Sequence, residues 1–210
     1  MRHVLVQDNA EEAFAHNQLE VIQNRDSHYW NGTYSLQGAF IRNNTNVKVE
    51  GENAETHLFG LYLPMGKSQI DNHTSIDHKV PNCFSNELYK GVVGDSATGV
   101  FNGKVFVRQD AQKVNAFQSN RNILLSDTAT LNTKPQLEIW ADDVKCSHGA
   151  TSGQLSEEEL FYLQSRGISK EKARSILVYA FAAETIEAVH DDSLKEFLLT
   201  KLQRQLNFEV

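Results

Sequence analysis

The feature that most constrains this chain is a change of period near residue 153. Before it, short apolar runs sit between turn-forming clusters: Val4-Leu5-Val6, Val47-Lys48-Val49, His57 to Leu63, Lys104 to Val107, and Leu137 to Trp140. Several alternate apolar and polar residues with period two, as a half-buried strand does. The punctuation is rich in Asn, Asp and Gly, as in Arg42 to Asn46, Gly51-Glu52-Asn53 and Gly94-Asp95-Ser96. Leu88, Val105 and Ile123 lie 17 and 18 residues apart, and Leu137 follows 14 later. Short strands at near-regular spacing fit a β-solenoid whose coils bury their apolar faces on their neighbours. They also fit a β-sandwich or jelly roll.

After residue 153 the period becomes helical. Ser156-Glu157-Glu158-Glu159 is a capping box, and its acids favour a helix N-terminus. Gly167 suits the left-handed position that ends a helix. Ser169 caps a second helix with apolar positions at Ala173, Ile176, Leu177, Ala180, Phe181 and Ala188. Asp191-Asp192-Ser193 breaks and recaps. A third helix follows with Leu194, Phe197, Leu198, Leu202 and Leu206 on one face. The spacing thus predicts a β-region over 1–152 and a helical domain over 153–210. The helices read as a satellite of the β-region or as a docking handle.

Composition excludes some functions. The net charge of −7 argues against a nucleic-acid surface. The longest apolar block, Ile176 to Ala183, falls far short of the roughly 18 residues that span a bilayer. Met1 to Asp8 holds no apolar core of signal-peptide length. The expectation is a cytoplasmic protein with no membrane span. Two distant cysteines, Cys83 and Cys146, make no disulfide framework. Phosphate-loop, dinucleotide and nucleophile-elbow motifs are absent, and no enzymatic activity is expected.

The densest polar cluster is Ala141 to Gly149. Cys146 and His148 are both good ligands for iron or zinc, and an i, i+2 spacing puts them on one face of an extended strand. Two ligands leave a site open, and a buried thiol beside a capping histidine is the plainer alternative. Asp142 and Asp143 point to opposite faces if extended, so a turn is expected there. Asp71 to His78 carries two His and two Asp, which could form a metal or carboxylate–histidine site or a polar ladder on a solvated face. Cys83 reads as a small core residue. A β-helix enzyme acting on polysaccharide through Asp71, Asp77 or Asp142 is a second reading, but the aromatic-lined groove such chemistry needs is missing.

One long segment, Thr133 to Thr151, contains Leu137-Glu138-Ile139-Trp140-Ala141-Asp142-Asp143-Val144-Lys145-Cys146-Ser147-His148-Gly149. It resembles the signature of the SufB/SufD family. Glu159 to Ile168, Tyr179 to Glu184, Asp71-Asn72-His73-Thr74 and Gly99 to Gly103 match in the same order. The resemblance implies a right-handed parallel β-helix, a single-stranded solenoid, followed by a small C-terminal helical domain. It implies a scaffold subunit for iron–sulfur cluster assembly, working with a SufB-type subunit and the ABC-type ATPase SufC. A transient cluster would form at the interface of paired β-helices, with His148 as a ligand and Cys146 beside it. The Cys-Ser-His-Gly motif points to the SufD-type branch, with a SufB-like scaffold as the alternative. The helices would dock the ATPase, with Phe161, Tyr162, Tyr179, Phe181 and Glu184 as candidate anchors. Relative to the family the chain starts within the β-region, and a β-helix opened there is expected to risk homodimerisation through its exposed edge.

Overall fold

A computed structural model describes residues 1–206. Among these residues eleven parallel strands form two sheets. Strands β1 (Arg2–Asp8), β3 (His28–Gln37), β5 (Glu55–Tyr62), β7 (Phe84–Val93), β9 (Asn115–Leu124) and β11 (Lys145–Gly153) make the first sheet, in that order. Strands β2 (Phe14–Gln23), β4 (Phe40–Val49), β6 (Gln69–His78), β8 (Thr98–Val107) and β10 (Thr130–Ile139) make the second. Each turn of the solenoid contributes one strand to each sheet. The expected solenoid followed by helices is the observed architecture.

The repeat is therefore two strands long. Register partners lie from 26 residues apart, as Phe14 with Phe40, to 32 apart, as Thr98 with Thr130. The 14- to 18-residue spacing seen in the sequence steps from one sheet to the other, so Leu88 pairs with Ser119 and not with Ile123. Val105 and Leu137 are true register partners.

The corners explain the Asn and Asp punctuation. Asp26, Asn53, Asn82 and Lys113 stand at the same corner of successive turns, each with φ of 57 to 59°. Asn and Asp tolerate this left-handed region better than most residues. They also stack, with Asn53 Nδ2 donating to Asp26 Oδ1 at 2.8 Å. Lys113 has no such side chain, and its backbone N–H is held by Asp143 O at 2.6 Å.

Between the sheets lies an apolar core that includes Ile41, Val47, Leu58, Tyr62, Ile70, Ile76, Tyr89, Phe101 and Val105. Close packing fixes one glycine: a Cβ on Gly60 would sit 2.2 Å from the Tyr89 ring. Cys83 belongs to this core, as its sequence context indicated. The interior is not wholly apolar. Asn43 donates to Asn72 Oδ1 at 3.0 Å and to Ser35 Oγ at 3.1 Å, so buried polar groups link neighbouring turns of the stack.

Helices α1 (Glu157–Ser165), α2 (Lys170–Glu187) and α3 (Asp192–Gln205) follow. Ser156, Ser169 and Asp191 cap them, each accepting from the backbone N–H three residues on. Gly167 has φ of +85° after the first. The helices form a second core with the outer face of the β1-to-β11 sheet. Trp30, Tyr34, Leu36, Leu61, Leu63 and Val92 are covered by Val178, Ala182, Ile186, Leu198 and Leu202. This is why every residue from Tyr29 to Leu36 in β3 is buried, on both faces of the strand. The α2 stripe differs from its sequence reading. Val178, Thr185 and Ile186 are buried with Ala173 and Ala182, whereas Ala180 is exposed. Phe197 on α3 likewise faces outward beside Lys201.

Candidate functional site

The Cys-Ser-His-Gly motif forms β11, the terminal strand of its sheet. Cys146 registers with Ala116 and His148 with Gln118. Ala116 and Gln118 are buried toward the interior, so Cys146 and His148 share that inward side. Among the described residues no further strand covers them, and His148 is exposed while Cys146 is half-buried. Burial pushes the Cys146 thiol above its ordinary value, opposed by a hydrogen bond from the Ala116 backbone. The thiol is therefore mostly protonated at neutral pH. β10 is the terminal strand of the other sheet, so among the described residues two strand edges lie unpaired at this end of the solenoid. Asp142 and Asp143 occupy the exposed bend that leads into β11, as expected.

Directly behind His148 stands a column of polar residues that the sequence reading missed. Glu87, Gln118 and His148 are successive register partners on β7, β9 and β11. Glu87 is 0 % exposed. Gln118 Nε2 donates to Glu87 Oε2 at 2.6 Å. Thr74 lies beside the carboxylate, yet neither its hydroxyl nor Glu87 Oε1 completes a hydrogen bond. Burial pushes the Glu87 carboxyl up to about 7, which Thr74 and Gln118 only partly offset. One sequence signal was present: Ser85, Glu87 and Tyr89 alternate in step, and an acid at a core-facing position of a strand is unusual.

The candidate docking residues divide into two groups. Phe161 and Tyr162 are 72 % and 57 % exposed. With Leu163, Ile176 and Leu177 they line an open groove of about 600 Å³ between α1 and α2. The others lie against the solenoid. Tyr179 and Phe181 pack on the second core. Lys90, only 2 % exposed, is paired with Glu184, donates to Phe181 O at 2.8 Å, and sits 4.2 Å from the centre of the Phe181 ring. Arg121 Nη1 approaches the other Glu184 oxygen at 3.5 Å. Glu184 and Phe181 thus neutralise and cover a buried lysine of the sheet.

The Asp71 to His78 segment lies in strand β6. Asp71 and His73 face outward as a ladder, with Arg42 Nη1 at 2.6 Å from Asp71 Oδ2 and His73 Nε2 at 2.9 Å from Asp71 Oδ1. Asp77 is held by Arg108 at 2.7 Å. His78 faces the core and accepts or donates at Ser85 Oγ, 2.9 Å away. Among the described residues no group of three His, Cys, Asp or Glu side chains converges as a closed metal site would require. No helix among them is long and apolar enough to cross a membrane.

Residues 1–181 match the family described as SUF system FeS cluster assembly, SufBD core domain. The chain is 41 % identical over 193 residues to the iron–sulfur cluster assembly protein SufD of Escherichia coli K12, covering 92 % of this chain and 45 % of that protein. It is 38 % identical to an iron–sulfur cluster assembly SufBD family protein of Synechocystis, covering 92 % and 43 %. It is also 38 % identical to the chloroplastic protein ABCI7 of Arabidopsis thaliana, covering 84 % and 37 %. The chain spans less than half the length of these relatives. With the solenoid, the terminal Cys-Ser-His-Gly strand and this match in hand, the chain belongs to the SufBD family of the SUF iron–sulfur cluster assembly system and is SufD-like in sequence.

Proposed function

We propose that this chain is a non-catalytic scaffold that presents His148, with Cys146 beside it, as part of a ligand set for a nascent iron–sulfur cluster, completed by a SufB-type subunit. The observation that carries this reading is the position of the motif. Two potential ligands share one face of a terminal strand, next to two open sheet edges. An open edge offers unpaired N–H and C=O groups that a partner's strand can extend. Two ligands are too few to hold a cluster by themselves, which suits a cargo that must be released. In this reading the cluster is cargo and not a resident cofactor.

The exposed groove at Phe161 and Tyr162 supports docking of a SufC-type ATPase. Aromatic side chains that bury on binding supply much of the affinity at such contacts. Tyr179, Phe181 and Glu184 would act there by holding α2 in place.

The test uses the full-length protein with its cognate SufB-type and SufC-type partners. His148→Ala is exposed and should leave folding and complex formation unchanged. It is expected to lower cluster maturation about tenfold or more, since even groups that merely support a metal ligand are worth 10- to 100-fold. Unchanged maturation would remove His148 from the ligand set. Phe161→Ala with Tyr162→Ala is expected to weaken co-purification of the ATPase by about 30-fold, the loss typical of two anchor side chains. Undiminished binding would place the dock elsewhere. A homodimer joined through the open edges would show instead as self-association of the chain without its partners.

A further inference from the structure

The column behind His148 has one loose end. In-register strands lie about 4.8 Å apart, so Gln118 stands one step from Glu87 on one side and one step from His148 on the other. Its amide nitrogen is committed to Glu87 Oε2. The oxygen of a planar amide diverges from its nitrogen, so Oε1 is turned away from Glu87. Oε1 is buried and has no hydrogen-bond partner. The fold makes room for this amide across the interior: a Cβ on Gly103 would lie 2.5 Å from Gln118 Nε2. At pH 8, above the point where Glu87 gives up its proton, the ionised carboxylate only accepts hydrogen bonds, so Glu87 fixes which end of the amide faces which neighbour.

We propose that Gln118 is a positioning residue for His148. The two are not hydrogen-bonded in the described geometry; a turn of the exposed His148 ring brings its N–H to Gln118 Oε1, which fixes the tautomer and leaves the lone pair of the other ring nitrogen facing out of the terminal strand. Glu87 holds the amide in the orientation that makes this possible. A histidine that binds a metal commonly donates its second ring N–H to a fixed acceptor in this way. The inference rests on the reading of His148 as a ligand, but its test requires neither cluster nor partner.

The measurement is the ring ¹⁵N spectrum of His148 in the metal-free chain at pH 8. The wild type is expected to hold one tautomer. Gln118→Leu removes the acceptor, and Glu87→Gln puts a group that both donates and accepts beside Gln118, so either end of its amide can face position 87. Each is expected to shift the tautomer ratio about fivefold, the change a hydrogen bond of ordinary net strength produces. A Gln118 that merely fills space would leave the ratio unmoved. If Gln118→Leu fails to fold, Glu87→Gln, which keeps the shape of the side chain, decides the matter. A wild-type ratio equal to that of free imidazole overturns the proposal. So does an unchanged ratio in a folded variant. If His148→Ala spares cluster maturation while the tautomer behaves as described, the ligand reading fails and the positioning contact stands. The reverse pattern removes Gln118 alone.

Discussion

Ending the chain at Gly153 is expected to yield a protein that aggregates or is partly unfolded. The cut removes all three helices. It uncovers Trp30, Tyr34, Leu36, Leu61, Leu63 and Val92, which form one patch on the outer face of the sheet. Burying each such side chain is worth about 1.5–3 kcal/mol, so the loss over the six is about 9–18 kcal/mol before the released helical entropy is counted. A domain is commonly stable by only about 5–15 kcal/mol. Polar ties go as well: Tyr34 loses the Thr185 carbonyl at 2.9 Å, the Leu125 carbonyl loses Arg174 at 3.2 Å, and Lys90 loses Glu184. Contiguous apolar surface of this extent drives association. Light scattering and a circular dichroism melt of residues 1–153 check this. A monodisperse fragment melting with the full chain would show that the sheet stands without its cover. For the same reason, a truncation confounds any test of ATPase docking, and point variants at Phe161 and Tyr162 are the cleaner probe.

At pH 8, Glu87→Gln is expected to raise stability by about 3 kcal/mol, and at pH 5 by much less. The folded carboxyl holds its proton up to about 7, whereas the ordinary value is 4.5. Between those values the folded state binds more protons than the unfolded one, so stability falls as pH rises. At about 1.4 kcal/mol per pH unit, the full penalty above pH 7 is about 3 kcal/mol. The amide keeps the shape and can still accept from Gln118 without carrying a charge into the core. For a chain of this size the gain corresponds to about 6–12 °C in Tm. Melts of both proteins at pH 5 and pH 8 decide it. Equal Tm differences at the two pH values would mean that Glu87 carries no charge penalty. His78 works in the opposite direction. Burial pushes its ring down to about 4, opposed only by the charge of Asp77. The unfolded ring protonates first as pH falls below its ordinary 6.5, so His78 costs stability on the acid side.

Much of this was legible in the residues. The alternation of apolar and polar positions marks each strand, and Asn, Asp and Gly mark each corner. Ser156, Ser169, Asp191 and Gly167 stop and start the helices where the sequence says they should. These signals are local: a cap or a pleat is decided within about four residues. The motif at Cys146 and His148 could be read on one strand face for the same reason. The burial of α2 was less legible. Its apolar residues run nearly all the way round, so Val178 and Ala180 could not be ranked until a surface was present to cover one of them.

What only the tertiary structure decided is set by register. Glu87, Gln118 and His148 are 31 and 30 residues apart and meet because each solenoid turn has that length at this point. The turn length varies along the chain, and a slip of one residue would turn Glu87 to the opposite face. Likewise the apolar outer face of β3 and β5 looks like a fault in a two-faced strand until α2 and α3 fold back over it. The sequence alone determined which elements form and where the ligand-bearing motif lies. The stacking of turns decided which buried groups stand behind that motif, because pairing between strands some thirty residues apart is fixed by the packing of the whole solenoid and by no local preference.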